Sequence, residues 1–209
     1  KYLHLPSSES RMQPCEELVQ RIKNPEDEIT IHVVGKYTGY EDSYKSLNEA
    51  LYHGGFANRV RINIQWVESE ALEQEGGSRL LEGSAAILVP GGFGSRGTRG
   101  MMKASEYARQ HGIPYFGICY GFQWATVEYA RNVCGLTGAN STEIDPHTPH
   151  PVIALLDEQQ RVTDKGGTMR LGSQPCRLLP GRARSAYGRN EVSERHRHRY
   201  EVNNAYRAI

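Results

Sequence analysis

The sequence predicts an α/β fold: a mostly parallel central sheet flanked by helices on both faces, with a hairpin-rich flank. Short β-branched or wholly apolar runs alternate with segments of helical spacing, the pattern of strand–helix–strand units. Several of these runs carry no polar alternation, as expected of strands buried on both faces. Beyond Thr142 the texture changes to short β-like pieces broken by Pro146, Pro149, Pro151, Gly166 and Gly167.

Residues 1–28 mix charge with Pro6, Pro14 and Pro25 and have weak periodicity, which suits a linker, tether or short helix leading into a domain over 29–209. Within that domain, Ile29 to Gly35 is β-branched and reads as a strand. Ser43 to Leu51 has helical spacing and is expected to stop at Gly54-Gly55. Val60 to Val67 alternates as a strand, Ser69 to Leu81 is a polar helix candidate, and Ala85 to Pro90 is a fully apolar strand that runs straight into glycines. A helix over Gly100 to Gln110, a strand over Ile113 to Ile118 and a helix over Phe122 to Arg131 follow. Ala205 to Ile209 reads as the start of another helix.

Composition narrows the function classes. The 25 Lys and Arg against 24 Asp and Glu leave a formal net charge of +1, which gives no global reason to expect a polyanionic partner, so no nucleic-acid binding is expected. No run approaches the roughly 20 apolar residues of a membrane helix, and Lys1 to Ser10 lacks the apolar stretch of a signal peptide. A cytoplasmic, membrane-free location is expected. Cys15, Cys119, Cys134 and Cys176 are widely spaced and form no C-x-x-C pair, so neither a disulfide framework nor a metal site is expected from them.

One cysteine has a distinctive setting. The apolar strand Pro114 to Ile118 enters Gly117-x-Cys119-x-Gly121 and then a helical pattern. A Gly-x-nucleophile-x-Gly turn between strand and helix presents its central side chain on a tight, strained bend, where flanking glycines remove groups that would clash. A helix N-terminus also favours thiolate over thiol, which makes Cys119 a candidate nucleophile. The same residues also fit a buried cysteine whose glycines serve only helix-on-sheet packing. Val89 to Gly97 weighs against that alternative. This glycine-rich loop follows the preceding strand and opens on the same carboxyl edge of the sheet, where its backbone N–H groups would meet an oxyanion beside the sulfur. It lacks the Gly-Lys-Ser/Thr ending of a nucleotide P-loop.

Five segments together resemble the glutaminase domains of the CTP synthase family, which are class I (triad) glutamine amidotransferases of flavodoxin-like fold. They are Val34 to Tyr37 with Asp42 to Ser46; Val89 to Gly97; Gly117 to Gln123; Asn140 to Glu143; and Gly166 to Gly172 with Arg195 to Asn204. The resemblance implies that Cys119 attacks the glutamine side-chain amide, releases ammonia and leaves a glutamyl thioester. It implies an oxyanion hole from the backbone N–H groups of Gly92 and Tyr120, and glutamine binding by Gly92, Tyr120, Gln123, Glu143 and Arg199. A zwitterionic substrate needs both an anion and a cation, which suits Glu143 and Arg199; a solvated loop charge and a surface-strand arginine are the alternatives.

The alternation Arg195-His196-Arg197-His198-Arg199 puts arginines on one strand face and histidines on the other. Two histidines at that spacing lack the acidic or cysteine partners a zinc site would want nearby, so no metal is expected. The family usually has Leu and Met where this chain has Tyr120 and Phe122, so a bulkier elbow is expected. The family's general base, a His-Pro-Glu segment, has no counterpart among the 209 residues, and the domain is expected to be C-terminally incomplete. The resemblance further implies an N-terminal synthetase domain in the same polypeptide using ATP, UTP and Mg2+, activation by GTP near Gly94 to Gly97, a homotetrameric parent, and no cofactor in this domain. Another class I amidotransferase subunit, such as that of a GMP or anthranilate synthase, and a non-catalytic glutamine-binding module are the competing readings.

Overall fold

A computed structural model describes residues 12–36, 41–155 and 170–209. Tyr37 and Gly166 to Met169, which carry part of the family resemblance, lie outside the described residues.

The central sheet holds β1 (Asp27–Gly35), β2 (Val60–Glu68), β3 (Ala86–Val89) and β4 (Tyr115–Gly117), all parallel, in the order β2-β1-β3-β4. Alternate residues of the apolar runs serve opposite faces. Ile31, Val33 and Leu88 face a smaller cluster with Leu47 and Leu51 of α2 (Lys45–Ala57), whereas Val34, Ile87 and Val89 join Met101, Ala104, Trp124 and Val127 on the other side. Those last four residues come from α3 (Thr98–His111) and α4 (Tyr120–Asn132). The interior polar residue of β1, His32, is buried but satisfied: its Nδ1 lies 2.6 Å from Ser84 Oγ, and burial holds its pKa down.

The flank contains β5 (Asn140–Ser141), β6 (Pro151–Leu155), β7 (Arg170–Arg177), β8 (Glu191–His198) and β9 (Tyr200–Val202). Strand β6 pairs parallel with β5 and antiparallel with β9, while β7 and β8 form a separate antiparallel ribbon joined through α5 (Arg182–Tyr187). Helix α1 (Gln13–Lys23) precedes β1 and buries no side chain. Among the described residues no helix is long and apolar enough to cross a membrane.

Four local expectations change. The segment Ser69 to Leu81 is not an α-helix but two short 3-10 turns, Ser69–Glu73 and Gly77–Leu81. Gly76 takes φ 71° between them, and a Cβ on Gly77 would lie 2.5 Å from Ala71 O, so the glycine pair folds the second turn back on the first. Helix α2 runs through Gly54-Gly55 because Gly55 serves close packing: a Cβ there would meet Val60 O at 2.6 Å. Helix α4 begins at Tyr120, two residues early. The C-terminal start of a helix is a single 3-10 turn, Asn204–Tyr206, capped by Asn203.

The topology sets the site. The chain passes from β1 outward to β2 and returns to the other side of β1 for β3, which opens a crevice at the carboxyl ends of β1 and β3. Helix α4 reaches that edge only because Gly121 lets its first turn touch β3: a Cβ on Gly121 would stand 2.1 Å from Val89 O and 2.8 Å from Val89 Cβ. Gly121→Ala is therefore expected to lower stability by about 2–3 kcal/mol, the scale of overpacking a filled interior, as a leftward shift of the urea midpoint. An unchanged midpoint would mean that the close approach carries no constraint.

Candidate active site

Cys119 stands between β4 and α4 with φ 51° and ψ −102°, one of two non-glycine residues at positive φ among those described. Such a conformation costs on the order of 1–3 kcal/mol and persists only where the surroundings enforce it. Gly117 and Gly121 are those surroundings: a Cβ on Gly117 would lie 2.5 Å from Phe122 N, so the strand end and the first helical turn touch backbone to backbone. The strained turn leaves the Cys119 thiol exposed, unlike the half-buried Cys134 and Cys176.

The six residues expected at the site come together. Gly92, Cys119, Tyr120, Gln123, Glu143 and Arg199 all border one open cleft of about 830 Å³, within the usual range for small-molecule sites. They arrive from four places in the fold: the loop after β3, the elbow, the segment after β5, and the turn between β8 and β9. Gly91 packs beside the sulfur-bearing carbon, since a Cβ on it would be 3.7 Å from Cys119 Cβ. Gln123 is buried and gives its Nε2 hydrogen to Tyr200 O at 2.9 Å, while its Oε1 is buried with no partner among the described residues. That oxygen is an acceptor awaiting a donor.

The expectation that the helix terminus favours thiolate is corrected. The Tyr120 backbone N–H does pull the Cys119 pKa down, but desolvation is the larger effect and the Glu143 carboxylate adds to it, so the thiol is pushed up overall. The upward push favours the thiol over the thiolate, so a nucleophilic role for Cys119 would call for a proton acceptor.

Sequence reasoning assigned no role to the group that holds the glycine loop in place. Lys36, directly after β1, is buried; its Nζ donates to Phe93 O at 2.7 Å and Gly94 O at 2.9 Å and sits 4.8 Å from the Tyr120 ring centre. The Tyr120 hydroxyl donates to Gly94 O at 2.5 Å, and the Gly94 N–H donates to Glu143 Oε1 at 3.2 Å. Arg96 ties the far end through Lys36 O and Glu70. The bulky Tyr120 thus gives the elbow a hydroxyl tie to the loop that a leucine would lack. The signal for Lys36 was its position, a lone cation just past the carboxyl end of a central strand. Tyr44, Phe93, His198 and Tyr200 also border the cleft; all four lie in the segments that carry the family resemblance, which assigned none of them a glutamine-site role.

Burial, with repulsion from Arg96, lowers the Lys36 pKa from 10.5 to about 8 against the opposing pull of Glu143 and Glu70. Between about 8 and 10.5 the unfolded chain holds a proton that the fold has released, so this group makes stability rise with pH across that window. The Lys36→Met variant is expected to lack this contribution. Wild-type melting temperature should therefore gain on the variant's between about pH 8 and about pH 10; a constant difference would contradict the shift.

Comparison with known proteins agrees with this architecture. The family model for glutamine amidotransferase class-I matches residues 40–208. CTP synthase of Koribacter versatilis is 53% identical over 210 residues, covering 99% of this chain and 38% of the relative. CTP synthase of Geobacter metallireducens is 56% identical over 200 residues, covering 95% and 37%. The chain thus spans less than two fifths of the length of these curated relatives. Among solved structures, the glutaminase domain of Trypanosoma brucei CTP synthase with bound acivicin superposes with a TM-score of 0.78 at 38% identity, covering 86% of this chain and 70% of that one. With a family match across most of its length and a fold shared with a glutaminase domain, the chain belongs to the class-I glutamine amidotransferases.

Proposed function

We propose that this chain is the glutamine-hydrolysing part of a CTP synthase, with Cys119 as nucleophile. The observation that carries the reading is the strained, exposed Cys119 at the foot of a cleft that also gathers Gly92, Gln123, Glu143 and Arg199. The Cys119 sulfur attacks the side-chain amide carbon of L-glutamine, and the carbonyl π electrons move to oxygen. Backbone N–H groups of Gly92 and Tyr120 receive the oxyanion. Collapse re-forms the carbonyl and breaks the C–N bond. The leaving nitrogen takes the proton that the thiol gave up and departs as ammonia, and water then cleaves the thioester to glutamate.

Glu143 and the unpartnered Gln123 Oε1 supply acceptors for the substrate ammonium, and Arg199 supplies a cation for its carboxylate. The raised thiol pKa agrees with a requirement for a separate base. By family resemblance that base is a His–Glu pair outside these residues. Relatives more than twice as long and named CTP synthase support a further domain in the same polypeptide; by family resemblance it is a synthetase that spends ATP to aminate UTP with Mg2+, with GTP activation near Gly94 to Gly97, in a cytoplasmic homotetramer. Residues 29–209 are the proposed glutaminase domain, with 1–28 as its lead-in.

The test is covalent labelling by acivicin with peptide mapping. One adduct on Cys119, prevented by glutamine and absent in Cys119→Ala, is the expected result. Equal labelling of Cys15, Cys134 and Cys176 would overturn the assignment. A second expectation concerns Arg199→Ala, which should weaken glutamine protection against labelling by at least about tenfold, the scale of a lost charge-assisted hydrogen bond, while the urea midpoint stays near wild type. Unchanged protection would remove Arg199 from the substrate site.

A further inference from the structure

Next to the cleft lies a second cavity, of about 510 Å³, bordered by Cys119, Phe122, His196, His198, Glu201 and Arg207 among others. Its donors come from adjoining turns of chain. His196 and His198 occupy the inward face of β8, with Arg195 and Arg197 exposed on the other, and Glu201 follows in β9. One donor atom from each of His196, His198 and Glu201 lies within 4.8 Å of the other two. His198 Nε2 and Glu201 Oε1 already converge to 2.5 Å, and the imidazole rings of His196 and His198 are 5.2 Å apart between centres.

We propose that His196, His198 and Glu201 form a binding site for a single divalent transition ion of borderline softness, of which zinc is the model. Two imidazoles and a carboxylate are the donor set that leaves a fourth position open on such an ion. Tetrahedral coordination at ~2.1 Å requires donors about 3.4 Å apart, so the His198–Glu201 pair would open from 2.5 Å while donors as far apart as 4.8 Å would draw in. An ion would take the place of the hydrogen shared by His198 and Glu201. His196 supplies an independent observation: its Nδ1 is buried and has no hydrogen-bond partner among the described residues, while its Nε2 is 3.6 Å from Cys176 Sγ across the β7–β8 ribbon.

Arg207 on the same cavity wall opposes a hard cation held by charge alone. Nitrogen donors therefore select a zinc-class ion over magnesium or calcium. Glu201 stands three residues beyond His198 and the β8–β9 turn brings it onto that ring, while the β7–β8 register adds Cys176 from twenty residues away. Cys119 borders the same cavity.

The test titrates the full chain with Zn2+ by calorimetry and with Co2+ by visible absorption. One saturable equivalent is expected for wild type, with affinity reduced at least about tenfold in both His196→Ala and Glu201→Gln, at or above the scale of losing a group that merely supports a metal ligand. His53→Ala, at a remote exposed histidine of α2, should bind as wild type does. Far-UV circular dichroism establishes that each variant is folded, and the near-isosteric Glu201→Gln answers the question if His196→Ala is not. Absence of a saturable equivalent in wild type, or undiminished affinity in a folded His196→Ala or Glu201→Gln, overturns the site. The readout is ion binding, so its failure is separate from any failure of Cys119 to react with acivicin.

Discussion

The backbone contact between the first turn of α4 and the ends of β3 and β4 is the constraint on which the rest of the site depends. Two glycines permit it: side chains at Gly117 or Gly121 would overlap Phe122 N or Val89 O. With those contacts made, the residue between them has little choice but positive φ, and Cys119 takes it. The conformational cost falls on one residue and is offset by the packing of a whole helix, whose Trp124 and Val127 lie in the larger core cluster. Exposure of the sulfur is thus a consequence of how tightly the surrounding backbone packs.

The same elbow organises the loop opposite. Tyr120, buried under Lys36 and edge-on to Trp124, reaches Gly94 O with its hydroxyl, while Lys36 holds Phe93 O and Gly94 O from the β1 side. Two elements, α4 and the end of β1, converge on a loop with four glycines between residues 91 and 97, which would otherwise have wide conformational freedom. A buried ammonium used as a clamp carries a desolvation cost, visible as its lowered pKa. Glu143 serves two ends: it accepts from the Gly94 N–H and, by its charge, adds to the upward push that desolvation gives the Cys119 pKa.

The flank completes the cleft with parts that belong to no central strand. Tyr200 O anchors Gln123, and the short β6–β9 pairing fixes the turn that carries Arg199 beside the elbow. Away from the cleft, Glu128 is buried on α4 and is held by Arg109 of α3 and by Asn132. This pairing joins the two helices that cover the larger face of the sheet.

What linear order settled was the layered architecture, because apolar runs buried on both faces and glycines at strand ends leave a periodic record. The elbow too was readable, since Gly117, Cys119 and Gly121 are neighbours in the chain. Glycine was the least transparent letter: Gly54-Gly55 looked like a stop yet continues a helix, and Gly76-Gly77 broke a helix that the pattern implied. Whether a glycine ends an element or allows a close approach depends on what lies against it, and only the fold supplies that. The raised pKa of Cys119, the Lys36 clamp, and the meeting of His196 with Cys176 were likewise decided in three dimensions. Each depends on desolvation or on charges and donors many residues apart, and neither quantity exists until the chain has folded.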